Sequence, residues 1–163
     1  MKTVIIYTDG SCLRNPGGSG GWAAVLFFNG VFGTVYGGVR KTTNNRMELR
    51  AIIEGLAHLK QPCEVTVLTD SQVAIAGWRA MHNMKKRKKL KNMDLLLRLY
   101  ELCGVHEVIM KYVPGHAGNV NNEWADQLAD REAKVAANEI DEGYENRTVE
   151  TFTPDKETPS MAF

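Results

Sequence analysis

Apolar and polar positions change rhythm several times along this chain, and each change marks an element. Val4, Ile5, Ile6 and Tyr7 form a β-branched and aromatic run ended by Asp9-Gly10, which predicts a short buried strand. Asn15 to Gly21 is a loop by composition. Trp22 to Phe28 and Val31 to Val39 then flank Asn29-Gly30, a strong hairpin signal, and predict two more strands. From Asn45 the period becomes helical: Leu49, Ile52, Ile53 and Leu56 fall at i, i+3, i+4 and i+7, with Pro62 just past the end. Glu64 to Thr69 alternates as a fourth strand, and Ser71 to about Met84 reads as helix. Met93 to Cys103 is a helix with Leu95, Leu96, Leu99 and Leu102 inward, closed by Gly104. Val105 to Val113 is a fifth strand, and Asn122 to about Ala137 is a final, Ala-rich helix.

Three hairpin-linked strands followed by α-β-α-β-α describe one α/β domain, a five-stranded mixed sheet with helices on its faces and right-handed later crossovers. A length of 163 residues suits a single domain, and 44% apolar with 24% charged residues excludes global disorder. No apolar run approaches the ~18 residues of a membrane span, and the start is too short and too polar for a signal peptide. Cys12, Cys63 and Cys103 match no zinc or redox spacing, so a cytosolic protein without a disulfide scaffold is expected. Gly18-Ser19-Gly20 precedes a strand instead of a helix, which excludes a dinucleotide-binding turn.

Charge divides the chain. The net charge is +1, yet residues 138–163 hold seven acids against two bases, a net of −5 that leaves +6 on residues 1–137. With Pro154, Pro159 and few apolar residues, 138–163 is expected to be a disordered acidic tail. Within the body, Lys85 to Lys91 holds six bases in seven positions. Such a block cannot enter a core. It is a solvated basic face or a handle for phosphates, which gains affinity by counterion release.

Four acids lie where elements begin or end: Asp9, Glu48, Asp70 and Asp126. Singly, each has a structural explanation. Asp9-Gly10 makes a turn, Glu48 closes a capping box with Asn45, Asp70 caps a helix, and Asp126 faces a helix N-terminus. Jointly they point to chemistry. If the first and fourth strands are parallel neighbours, Asp9 and Asp70 share the sheet edge at which open α/β sheets bind ligands. Two carboxylates 4 Å apart repel by about 4 kcal/mol at an effective dielectric of 20. Such a cluster calls for cations, and oxygen ligands suit Mg²⁺ or Mn²⁺. Paired divalent ions in turn suit phosphodiester displacement.

Tyr7-Thr8-Asp9-Gly10-Ser11-Cys12 with Asn15-Pro16-Gly17 resembles the first motif of type 1 ribonuclease H. Thr42 to Leu49 resembles the second, and Thr69-Asp70-Ser71-Gln72 the third. Val113 to Gly118 with Asn122 to Asp126 resembles the last, and the match runs in order over roughly residues 1–137. The resemblance implies a ribonuclease H-like fold and endonucleolytic hydrolysis of the RNA strand of RNA–DNA hybrids, leaving 5′-phosphate and 3′-hydroxyl ends. It implies two Mg²⁺ ions on Asp9, Glu48, Asp70 and Asp126, with Mn²⁺ a substitute, and His116 assisting proton movement or product release. An unshifted histidine near pH 6.5 suits that role. It also implies that Cys12, Asn15, Asn44, Glu48 and Gln72 read the minor groove, where only RNA offers a 2′-hydroxyl. Lys41, Thr43 and Asn83 would grip the DNA phosphate, with Asn45 a further substrate contact or only a helix cap.

The segment between Gly77 and Asp94 is short, with Met81 and Met84 in it and only Trp78 nearby, where many bacterial members carry a longer, tryptophan-rich protrusion. Lys85, Lys86, Arg87 and Lys88 are expected to compensate by charge, giving strongly salt-dependent hybrid binding. The first strand begins too early for a preceding hybrid-binding domain, and a monomer is expected. Two other functions compete. A hybrid binder that no longer cuts would not require four acids, and a resolvase- or integrase-like DNA cutter would not require residues that read a 2′-hydroxyl. The acidic tail is a solubilising segment or a transient cover for the basic handle.

Overall fold

The computed structural model describes residues 1–87, 90–115, 117–135 and 138–146. Strand β1 (Lys2–Cys12) pairs antiparallel with β2 (Gly20–Phe28), and β2 with β3 (Val31–Val39). Between β2 and β3, Asn29 and Gly30 both have positive φ (48° and 78°), which two-residue hairpin loops of the primed type require. Helix α1 (Asn44–Ala57) then crosses to β4 (Cys63–Thr69), which lies parallel to β1 on its other side. Helices α2 (Gln72–Met81), α3 (Met84–Arg87) and α4 (Met93–Val105) lead to β5 (Glu107–Tyr112), parallel to β4. Helix α5 (Val120–Lys134) and the short α6 (Glu142–Glu145) follow. The sheet order is β3-β2-β1-β4-β5, so the α/β mixed sheet expected from the sequence is the one observed.

The helical apolar face of α1 is buried throughout: Leu49, Ile52, Ile53 and Leu56 meet Val4 and Ile6 of β1, Val65 and Val67 of β4, and Leu96, Leu99 and Leu102 of α4 in one core. On the opposite face α5 lies against β1 and β2, its buried apolar residues being Ala125, Ala129 and Ala133. Small side chains let the α5 backbone approach the sheet closely, which brings its polar face up to the β1 end. All three cysteines are free thiols.

Four local expectations are corrected. Asp9-Gly10 does not end β1: the ladder continues to Cys12, with Gly10 opposite Trp22. Gly10 is needed for close approach instead. A Cβ there would lie 2.3 Å from the Glu48 backbone nitrogen, so only glycine lets α1 come down onto β1. The caps are Thr43 for α1 and Ser71 for α2, with hydroxyls accepting from the Arg46 and Ala74 amides; neither Asn45 nor Asp70 fills that role. Gly104 lies inside α4, which runs to Val105.

The largest correction concerns the acidic segment. Residues 138–146 fold back onto the domain in place of a disordered tail; residues 147–163 lie outside the described region. Asp141 is buried and accepts from the Arg46 guanidinium at 2.8 Å through both carboxylate oxygens, and from the Thr42 hydroxyl at 2.6 Å. Arg46 is itself buried and also donates to both oxygens of Asp94, at 2.8 and 2.6 Å. Arg40 makes a forked contact with Glu145, and its amide donates to the Glu139 carbonyl. Composition identifies residues 138–146 as acidic, but only the fold reveals that a buried arginine at the start of α1 needs one of those acids. Burial alone would push the Asp141 carboxyl up; the hydrogen bonds from Arg46 and Thr42 and the Arg46 charge outweigh it and hold the group below its ordinary range.

Candidate functional site

Asp9 sits near the C-terminal end of β1, and Asp70 directly follows Thr69, the last residue of the parallel neighbour β4. The two strands therefore deliver both acids to one edge of the sheet. Glu48 arrives from the first turns of α1 through the contact at Gly10, and Asp126 from the early turns of α5. Ligand oxygens of Asp9, Glu48 and Asp70 all lie within 4.8 Å of one another. Asp126 lines the same cleft as Asp9 and Asp70, close enough to Asp9 for their carboxyls to share a hydrogen bond. The four acids separated along the chain thus meet in one place.

This crowding shows in their protonation. Burial, then the Glu48 charge, then hydrogen bonding with Asp126 and Glu48 and the Asp70 charge push the Asp9 carboxyl up to about 11. Burial and the Asp70 charge push Glu48 up to about 8, against hydrogen bonds with Asp9 and the Gly10 amide that favour its charged form. Both Asp9 and Glu48 are only 6% exposed, and Glu48 Oε2 has no hydrogen-bond partner among the described residues. A buried carboxylate oxygen without a donor, inside an all-oxygen set, fits a hard divalent cation.

Two residues of this cleft were not anticipated. Asn122 and Glu123 line it with the acids. Asn122 is buried, and its Oδ1 lacks a partner among the described residues. The signal was present in the spacing: 122, 126 and 130 share one face of α5, and Asp130 accepts from the Ser11 hydroxyl at 2.6 Å, tying that face to the end of β1. Asn119 caps α5 by accepting from the Asn121 and Asn122 amides, which fixes where that face begins.

The residues expected to contact substrate fall into three groups. Cys12, Asn15, Thr43 and Asn44 come together: Asn15 Oδ1 accepts from the Asn44 amide at 3.0 Å, Cys12 Sγ lies 3.6 Å from the Gly18 and Thr42 carbonyls, and Thr43 caps the helix that Asn44 opens. Asn45 follows on α1, Lys41 is exposed just before it, and Gln72 opens α2 beside Asp70. On the handle, Lys85 and Lys86 are exposed. Arg87 is not a free cation, since it donates to the Met81 carbonyl at 2.6 Å and lies 4.4 Å from the Tyr100 ring centre. Asn83 caps α3 by accepting from the Lys85 amide at 3.1 Å. Asn92, which precedes α4, accepts from Arg46 at 3.3 Å. His116 and Lys88 lie outside the described residues.

Residues 1–134 match the family described as RNase H. A ribonuclease H of Pseudomonas entomophila is 50% identical over 139 residues, covering 79% of this chain and 92% of the relative. Among solved structures, LC9-RNase H1, a type 1 enzyme with the type 2 active-site motif, superposes with a TM-score of 0.74 at 30% identity, covering 91% of this chain and 82% of that one. LC11-RNase H1, solved in complex with an RNA/DNA hybrid, gives 0.60 at 25% identity, covering 78% and 94%.

Proposed function

The chain belongs to the ribonuclease H family of hydrolytic nucleases, and from that premise we propose that it cuts the RNA strand of RNA–DNA hybrids endonucleolytically, leaving 5′-phosphate and 3′-hydroxyl ends. The observation that carries this reading is the convergence of Asp9, Glu48, Asp70 and Asp126 on one sheet edge. These four would hold two divalent ions, Mg²⁺ or in its place Mn²⁺. When bound, paired ions supply activation of the attacking water and stabilisation of the departing 3′ oxygen. The chain's own part is to present four carboxylates, two of them nearly buried, so that little reorganisation remains when the phosphodiester arrives.

Strand choice rests on the cluster beside the acids. Asn15 in its loop accepts from the amide of Asn44 at the start of α1, and Gln72 opens the helix after Asp70. Short side chains with both donors and acceptors suit a 2′-hydroxyl, which DNA lacks. Lys41, Thr43, Lys85 and Lys86 supply phosphate contacts on the exposed face, and His116 serves proton movement. No helix among the described residues is long and apolar enough to cross a membrane.

The test is a labelled RNA–DNA hybrid with Mg²⁺, beside double-stranded DNA, double-stranded RNA and an EDTA control. Cleavage confined to the RNA strand of the hybrid, abolished by EDTA and by Asp9→Asn, is expected. Binding without cleavage, or equal cutting of duplex DNA, would overturn the proposal.

A further inference from the structure

Between α2 and β5 lies a groove of about 460 Å³ that the acid cluster does not use. Gln72, Ala76 and Arg79 line it from one face of α2, and Met110, Lys111 and Tyr112 from β5. β5 is the outermost strand of the sheet, and Tyr112 is 48% exposed. Arg40, Arg46, Arg50, Arg98 and Arg131 are each paired with a carboxylate. Arg79 and Lys111 are exposed, and neither has a carboxylate partner among the described residues. The groove therefore carries the Arg79 charge and the exposed Tyr112 ring, and Lys111, which strand alternation turns toward the other face of β5, borders it at the sheet edge.

Its position relative to the acids decides what fits. Tyr112 pairs with Thr69, the residue before Asp70, and Gln72 follows Asp70 by two. From Asp9 on β1 across β4 to β5 is two strand spacings, roughly 10 Å. A strand passing the carboxylates toward β5 reaches the groove within a nucleotide or two. The space suits one small ligand and cannot take a duplex. A base stacked in a duplex has both faces covered, so only an unpaired one can lie on Tyr112.

On the premise of the hybrid-cleaving reading above, we propose that this groove receives an unpaired nucleotide of the RNA strand where that strand runs beyond the hybrid. Arg79 and Lys111 take its phosphates, and the Tyr112 ring takes its base. Aromatic stacking tolerates any base, and Gln72 at the mouth offers a donor and an acceptor to the ribose 2′-hydroxyl.

The experiment measures affinity by fluorescence anisotropy with the full chain in EDTA at low salt. It uses a blunt hybrid and the same hybrid with a short 5′ or 3′ overhang on the RNA strand, or on the DNA strand. One of the RNA overhangs is expected to tighten binding about tenfold. Tyr112→Ala should remove most of that gain, and Arg79→Ala or Lys111→Ala should each lower its salt slope by about 0.7. Blunt-hybrid cleavage in Mg²⁺ should be unchanged in all three variants. No gain from either RNA overhang, an equal gain from DNA, or a gain that survives all three substitutions would overturn the proposal. Failure of the wild type to cut the blunt hybrid would overturn the hybrid-cleaving reading instead, so the two failures are distinct.

Discussion

Replacing Asp9 by asparagine should stabilise the metal-free protein, and by more as pH rises. Two full charges 4.8 Å apart, the outer limit for Asp9, Glu48 and Asp70, repel by about 3.5 kcal/mol at an effective dielectric of 20. The folded protein relieves this by retaining protons: Asp9 is pushed from its ordinary 3.8 up to about 11. An acid whose folded pKa exceeds its unfolded one binds more protons when folded. Stability is then greatest below the unfolded value and declines as pH rises toward the folded one, by about 1.4 kcal/mol per pH unit for one group. At pH 7 the cost of holding that proton is of the same order as the repulsion it avoids. Asparagine keeps an acceptor for the Gly10 amide, which donates to Asp9 Oδ1 at 2.9 Å, and never titrates. The expected gain in EDTA is about 2–4 kcal/mol at pH 7, roughly 5–15 °C in melting temperature. Urea unfolding of both proteins in EDTA at pH 5, 7 and 8.5 reads it directly. A difference that stays flat with pH, or a wild type more stable than the variant at pH 8.5, would show that the acids are not crowded as the structure has them.

Divalent metal must displace the protons held by Asp9 and Glu48. The apparent Mg²⁺ or Mn²⁺ affinity, followed by calorimetry, should therefore rise steeply between pH 6 and 8 with proton release on binding, while a pH-independent affinity would contradict the raised carboxyls. Asp141→Ala should cost about 2–3 kcal/mol in urea unfolding, because the buried Arg46 guanidinium loses one of its two carboxylate partners and keeps only Asp94; a loss under about 1 kcal/mol would mean that residues 138–146 do not anchor α1. For the same reason truncation after Ala137 should lower the melting temperature, which would mask any tighter hybrid binding from loss of acidic charge. Gly10→Ala would place a Cβ 2.3 Å from the Glu48 nitrogen and should destabilise by about 3 kcal/mol or more, with loss of metal affinity; wild-type metal affinity in a folded variant would refute the close-approach argument.

The elements were legible because their periods are local. The Leu49, Ile52, Ile53 and Leu56 spacing and the Asn29-Gly30 turn need no distant partner to be read, and all five strands occur in the expected order, although β1 runs past Asp9-Gly10 to Cys12 and Val105 ends α4 instead of opening β5. The acids were legible through motif spacing. The Asn122 face of α5 could have been read from the four-residue step to Asp126, but a lone asparagine in a helix carries no chemistry until its burial is known.

Sequence alone determined the order of strands and helices, the sign of each charged segment and the identity of the four carboxylates, because propensity, periodicity and motif spacing act over a few residues. Tertiary structure alone decided which opposite charges meet. Arg46 finds Asp94 and Asp141 only after α1, α4 and residues 138–146 have packed, so an acidic segment that composition assigns to solvent becomes part of the domain. It also decided that Gly10 serves close approach and that Asp9 and Glu48 hold protons, since burial and distances between remote residues appear nowhere in local order.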